Sequence, residues 1–362
     1  MSANSAPGRI LVVTPTWVGD VVISQTVFMT LAERFPGVPI DALAPAWAHP
    51  LLGRMPQVDR CIPLPMGRGK LRMGAQYRVA RQLAESGYGL AIVTRRAAKA
   101  ALIPWLARIP ERIGAKGEFR PFMLTQERSI NSESHSSNVA RLSAMAAADP
   151  DSVTFESAPW PVLAGHPDRG RDIIEAGFAD QTGSAHSPVE GRAGSPSRTG
   201  SPRRLIAMAP GAAFGPAKRW PLLSWRTLAE QITAHGDRVV VVGSAAEASD
   251  ADLITTGLSG ATNLCGKTAL AEVVDVMAAC DVVVSNDSGL MHVAAAVDTR
   301  VVAIFGSTSP INTPPLSTQA TSLWLGLDCS PCYAQECPLG HLRCLRDLTP
   351  AQVLQAVEGD TT

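Results

Sequence analysis

DVVVSNDSGLMHVAAA, residues Asp281 to Ala296, reads as a buried strand that runs through a short polar turn straight into a helix. Val282, Val283 and Val284 form a β-branched run suited to a parallel strand covered on both faces. Asn286-Asp287-Ser288-Gly289 supplies turn and capping chemistry before a helix that opens near Met291. The free N–H groups at such a helix start, together with the positive end of its dipole, favour a phosphate or diphosphate. The same junction also serves as plain architecture in α/β proteins, so its meaning depends on the rest of the chain.

The same grammar recurs on both sides of that stretch. Arg9 to Val13 reads as a first buried strand, and Thr14 to Asp20 as a loop feeding a helix that begins near Val21. Ile40 to Leu43 and Leu90 to Val93 read as further strands, with a helix over Arg72 to Glu85 between them. Gln181 to Arg204 is rich in Ser, Gly, Pro and Arg with almost no large apolar residue, the composition of a linker. The pattern then restarts with strands at Leu205–Ala209, Val239–Val242, Asp281–Ser285 and Val301–Phe305, and a terminal helix at Ala351–Glu358. The expected organisation is α/β with two doubly wound parallel-sheet domains: residues 1–180, a linker at 181–204, a second domain at 205–348, and a C-terminal helix and tail at 349–362.

Charge balances over the 362 residues, with 32 Lys+Arg against 32 Asp+Glu, so a nucleic-acid-binding excess is absent. Its distribution is uneven, because Ala44 to Arg128 holds fifteen basic residues against five acidic ones. That half suits an anionic ligand or an anionic membrane surface, unless it is a solvated Arg-rich face. The N-terminus lacks the pattern of a secretory signal, and the chain has no apolar run long enough to span a bilayer. A cytoplasmic protein, at most peripherally attached to a membrane, is expected.

Seven cysteines in such a chain do not suggest a disulfide scaffold. Cys329, Cys332, Cys337 and Cys344 cluster around His341, yet their intervals match no common zinc finger, leaving a structural metal and reduced thiols in a compact loop as alternatives. No catalytic metal is expected.

In open parallel sheets ligands bind beyond the carboxyl ends of the strands, which directs attention to four loops. Thr14 to Asp20 has one glycine where a dinucleotide fingerprint has three, but it offers Asp20 as a base for a bound hydroxyl or, equally, as a helix-start carboxylate. Pro210 to Pro221 combines glycines with Lys218 and Arg219, without the spacing of a triphosphate-binding P-loop. Glu247, just past a strand, suits ribose hydroxyls or a helix start. The fourth loop is the opening turn, with Asp287 for sugar hydroxyls, the N–H groups of Ser288 and Gly289 for phosphate, and His292 placed to add charge or to pack.

Four stretches taken together carry a family resemblance: PTWVGDVVISQ from Pro15, APAWAHPLLGRMPQVD from Ala44, PGAAFGPAKRWP from Pro210, and NDSGLMHVAAA from Asn286. In this order, over nearly the whole chain, they resemble the ADP-heptose:lipopolysaccharide heptosyltransferases, leaning to the branch that adds the second heptose of the inner core. The 181–204 segment looks like an insertion peculiar to this chain.

The resemblance implies a GT-B fold with two Rossmann-like domains facing across a cleft, the first holding the acceptor and the second the ADP-sugar. It implies an inverting, metal-independent transfer of L-glycero-D-manno-heptose from ADP-heptose to heptosyl-Kdo2-lipid A, with no cofactor. Asp20 matches the general base of the family, Lys218 its phosphate and sugar lysine, Glu247 its ribose carboxylate, and Asp287, Ser288, Gly289 and His292 its donor turn. Thr268 is placed more loosely, near the adenine. An anionic acceptor would account for the basic half, with Arg95, Arg96, Lys99, Arg112, Lys116 and Arg120 as acceptor contacts and peripheral contact with the inner membrane. Transfer to Kdo, as the first heptose-adding branch performs, and a sugar-nucleotide epimerase of GT-B shape are the alternatives.

Overall fold

The computed structural model describes residues 6–65, 73–118, 120, 122–130, 135–183 and 203–359. The first sheet is built from β1 (Arg9–Val13), β2 (Ile40–Ala44), β3 (Arg60–Pro63), β4 (Tyr88–Val93), β5 (Glu111–Ala115) and β6 (Gln126–Arg128). The second comprises β7 (Leu205–Ala209), β8 (Arg238–Val241), β9 (Ala261–Asn263), β10 (Val282–Asn286), β11 (Arg300–Ile304) and β12 (Ala320–Leu323). Both are six-stranded, in the orders β3-β2-β1-β4-β5-β6 and β12-β11-β10-β7-β8-β9. Every pairing is parallel. Each sheet therefore runs 3-2-1-4-5-6 in its own count, the Rossmann order, with the direction of winding reversing between its first and fourth strands. β1, β4, β10 and β11 are buried over almost their full length, which explains why they are apolar runs and not alternating ones.

The short edge strands escape a sequence reading. β3 is Arg-Cys-Ile-Pro and β12 Ala-Thr-Ser-Leu, and both lie half-exposed at sheet edges, where Pro63 is tolerated at a strand end.

The compact units divide between Ala164 and Gly165, earlier than the expected boundary at 180. The helix Pro167–Gly183 packs against the helix Leu270–Ala278 of the second unit. That packing needs Gly170, since a Cβ there would come within 2.0 Å of Asp275 O. The buried Asp275 carboxylate also accepts from His166 N at 2.9 Å, anchoring the start of the helix. The first three residues of the expected linker thus end this helix, while 184–202 lie outside the described residues. The terminal helix, Pro350–Glu358, begins in a Thr349/Gln352 capping box and buries Val353, Ala356 and Val357 in the second domain's core. Among the described residues, no helix is long and apolar enough to cross a membrane.

Asp41 on β2 is a fully buried acidic residue of the first sheet, and it faces three donors. Arg9 Nη1 donates to its Oδ1 at 2.7 Å, Arg60 Nη2 to Oδ2 at 2.9 Å, and the Tyr88 hydroxyl to Oδ2. Burial alone would raise this carboxyl, but the hydrogen bonds from Arg60, Tyr88 and Arg9 outweigh it and hold Asp41 below the usual carboxylate range. The cluster ties β1, β2, β3 and β4 together at one point. Asp41→Ala should cost about 3 kcal/mol of stability by leaving these donors without their acceptor, measured by urea unfolding at neutral pH. A loss below roughly 0.5 kcal/mol would contradict a structural role for the cluster.

Candidate functional site

Each sheet places a site at its reversal point. In the first domain the loops after β1 and β4 lie side by side, bound by Thr94 Oγ1 donating to Val13 O at 2.7 Å. They open onto a cavity of about 720 Å³ lined by Pro15, Thr16, Trp17 and Asp20 from one loop and Thr94, Arg95 and Arg96 from the other. Its far wall is the helix Asn138–Ala146, which contributes Asn138, Arg141, Leu142 and Met145.

The helix after β1 starts at Val18, so Asp20 lies inside its first turn, where the helix dipole favours the ionised carboxylate. A half-buried carboxylate thus shares one cavity with three arginines. Burial draws the Arg95 guanidinium below its ordinary value, against the pull of Glu118. A cation stripped of water in this way gains most from an anion entering the cavity. Arg141 is held in place by Nη1 donating to His135 O at 3.3 Å and by Nη2 donating to Asn138 Oδ1.

The six basic residues expected to meet the acceptor separate sharply. Arg95 and Arg96 line the cavity, whereas Lys99 and Lys116 are exposed and lie off its wall. Arg120 is fully buried and donates to Arg95 O at 2.5 Å, Ala97 O at 3.4 Å and Ala115 O at 2.6 Å, so it shapes the loop instead of contacting a ligand. Arg112 is likewise committed to backbone carbonyls, Met123 O at 2.7 Å and Ile109 O. Arg141 sits among small and apolar helix residues outside the basic stretch, and only the fold brings it to the cavity.

In the second domain β10 lies between β11 and β7, and the loops after all three strands converge on Asp287. Its carboxylate is 4% exposed and accepts from Lys218 Nζ at 2.6 Å and from the Thr308 hydroxyl. Asn286 fixes the neighbouring loop, donating from Nδ2 to Pro210 O at 2.6 Å and accepting from Trp220 N at 3.1 Å. The helix Gly289–Ala296 follows, and its N-cap residue Ser288 makes no side-chain capping bond. Leading N–H groups left uncapped at the carboxyl end of a central strand are the donors an anion requires.

Glu247 performs the structural task open to it, closing a capping box with Ser244 N at 2.8 Å and Ser244 Oγ at 2.5 Å. Both bonds fall on Oε2, and Oε1 points toward Gly211 at the exit of β7. The Thr268 hydroxyl is occluded without a hydrogen-bond partner, as is that of Ser307.

His292 follows the packing alternative of its two expected roles. Burial pushes its imidazole down to about 4, against the pull of Asp287, and Lys218 adds to the depression. The ring is therefore neutral near pH 7 and adds no charge to the turn. Thr308, in a Gly306-Ser-Thr-Ser309 run after the buried strand β11, was not singled out by the sequence reading. Small hydroxyl residues directly after a buried strand are the signal that marks it.

All seven cysteines are free thiols. Among the described residues, no group of three or more His, Cys, Asp or Glu is arranged to hold a metal ion.

Residues 76–343 match the family model described as Glycosyltransferase family 9 (heptosyltransferase). Lipopolysaccharide heptosyltransferase 2 of Salmonella typhimurium is 38% identical over 352 residues, covering 96% of this chain and 97% of that protein. Its counterpart in Escherichia coli is 37% identical over 356 residues, with 96% and 97% covered. A solved structure of the E. coli ADP-heptose lipopolysaccharide heptosyltransferase II superposes with a TM-score of 0.79 at 35% identity, covering 97% of this chain and 98% of that one.

The neutral His292 has a measurable consequence. Its folded value lies below the ordinary 6.5, so the unfolded chain binds the extra proton first and stability falls as pH drops from about 6.5 toward about 4. His292→Gln should remove roughly 2 kcal/mol of that acid-induced loss, read from urea midpoints at pH 7 and pH 4.5. An identical pH slope in the variant and the parent protein would contradict the assignment.

Proposed function

The chain belongs to glycosyltransferase family 9, the heptosyltransferases, and on that premise we propose how its two sites divide the reaction. The protein is a glycosyltransferase of GT-B fold, taking ADP-heptose as donor and the lipopolysaccharide core as acceptor. Its reaction is transfer of L-glycero-D-manno-heptose to the first heptose of the inner core, a reading supported by type 2 relatives that match nearly end to end.

The single observation that carries the assignment of roles is the cavity in which Asp20 stands among Arg95, Arg96 and Arg141. A carboxylate there serves as base toward a sugar hydroxyl, while the guanidinium groups hold the carboxylates or phosphates of an anionic glycolipid. In the proposed step Asp20 takes the hydroxyl proton, and the acceptor oxygen forms a bond to the anomeric carbon with inversion. The bond from that carbon to the diphosphate oxygen breaks, and ADP leaves with the electron pair.

Charge developing on the diphosphate meets Lys218 and the N–H groups at Ser288 and Gly289, donors fixed before the reaction begins. Asp287 takes a sugar hydroxyl, Glu247 the ribose through Oε1, and Thr268 offers its unpartnered hydroxyl near the base. His292 supports the turn as a neutral packing group.

The acceptor is anchored in lipid, and we place the first domain at the cytoplasmic face of an anionic inner membrane. Its local basic excess and its exposed pair Trp105 and Phe122, 6.0 Å apart between ring centroids, supply the charge and the interfacial aromatics such a contact uses.

Asp20→Ala should lower kcat by about 10² to 10⁴ with circular dichroism and melting unchanged. Retention of full turnover would refute the base assignment. Lys218→Ala should chiefly raise the KM for ADP-heptose and lower kcat, with little effect on acceptor KM, and an unaltered response to donor concentration would count against its role.

A further inference from the structure

The cysteine-rich segment from Cys329 to Cys344 has no part in the reaction described above, yet it touches both loops that hold Asp287. On one side Ser330 Oγ donates to Gly306 O at 2.6 Å, and Tyr333 N donates to Ser307 O at 2.7 Å. These bonds fix the two residues that lead into Thr308. On the other side Gln335 O accepts from Ala217 N at 3.0 Å, one residue before Lys218. The approach there is so close that a Cβ on Gly215 would fall 2.5 Å from Gln335 O. Ser307 N then donates to Ala217 O at 3.2 Å, joining the two loops to each other as well as to the segment.

Ser330 is the buried side chain at the centre of this arrangement. Besides donating to Gly306 O, its hydroxyl accepts from Trp324 Nε1 at 3.1 Å. At the rim, Asn312 Nδ2 donates to the Tyr333 hydroxyl at 2.6 Å and steadies the outer end of the segment.

We propose that the cysteine-rich segment is a clamp setting the spacing of Lys218 and Thr308 around Asp287, with Ser330 as a positioning residue for donor recognition. The proposal rests on the reading of the Asp287 turn as the donor site. Removing the Ser330 hydroxyl leaves a buried carbonyl and an indole N–H without their partner, and the loop relieves that by moving. Lys218 and Thr308 each directly follow a clamped residue, Ala217 and Ser307, so a small shift there alters the geometry offered to a diphosphate.

The test uses the full-length protein, with ADP titrated calorimetrically and transfer kinetics measured for Ser330→Ala and Ser330→Thr. Ser330→Ala should raise the ADP Kd and the donor KM by about tenfold, the equivalent of one hydrogen bond, and leave the acceptor KM within about twofold. Ser330→Thr, which keeps the hydroxyl, should recover most of that loss; a general structural role would instead move both substrates' KM values and the melting temperature together. A folded Ser330→Ala protein whose ADP Kd and donor KM stay within about twofold of the parent overturns the clamp. Should Ser330→Ala not fold, Asn312→Ala at the rim takes its place, with a donor KM rise of about threefold expected and an unchanged value overturning the proposal. A parent protein that binds no ADP overturns the donor site itself, whereas a parent that binds it beside an equally competent Ser330→Ala overturns only the clamp.

Discussion

The Asp287 carboxylate, nearly excluded from water and held by Lys218 and Thr308, is the contact on which the convergence of the second domain's loops depends. An acidic side chain so buried needs cations and hydroxyls to satisfy it, and its partners arrive from the loops after β7 and β11. Strand order makes that convergence possible, since β10 lies between those two strands in the sheet. Lys218 is paired with Asp287, so on the proposed reading a diphosphate would share this lysine with the carboxylate. It does not recruit a side chain that was free in water. That pre-positioning spares the entropy of ordering a long side chain when the donor arrives.

The first domain solves a different problem with the same topology. Its reversal point between β1 and β4 carries Asp20 in one cavity with Arg95 and Arg96, and the buried Arg120 ties that second loop to the end of β5 through the carbonyls of Arg95, Ala97 and Ala115. Basic residues in this region therefore have two distinct uses: some face the cavity, and others replace the hydrogen bonds that irregular backbone lacks. Net charge along the chain cannot separate the two, because the difference lies in whether a guanidinium group points at a carbonyl or at open space.

What was legible in the sequence follows from contiguity. The Asp287 turn and the Asp20 loop could be read because strand, turn and helix start are adjacent in the chain, and the chemistry of each is local. Both domains and their parallel sheets were legible for the same reason, from buried β-branched runs at regular intervals. Thr308 and Arg141 were not, since each reaches its site through the order of strands and the placement of a helix wall, with nothing distinctive in its neighbours. The neutral state of His292 was also hidden, because it depends on complete burial beneath Lys218 and Asp287. The domain boundary shifted for a packing reason, a helix whose glycine lets it lie against Asp275.

On the proposed reading, the cavity beside Asp20 accepts a core already carrying one heptose, while the Asp287 turn holds the ADP-sugar. The most direct measurement follows heptose transfer from ADP-heptose by the purified protein onto Kdo2-lipid A and onto heptosyl-Kdo2-lipid A, side by side. Turnover is expected on the heptosylated acceptor, with none above background on the other. Equal or preferred transfer to the unheptosylated acceptor would contradict it.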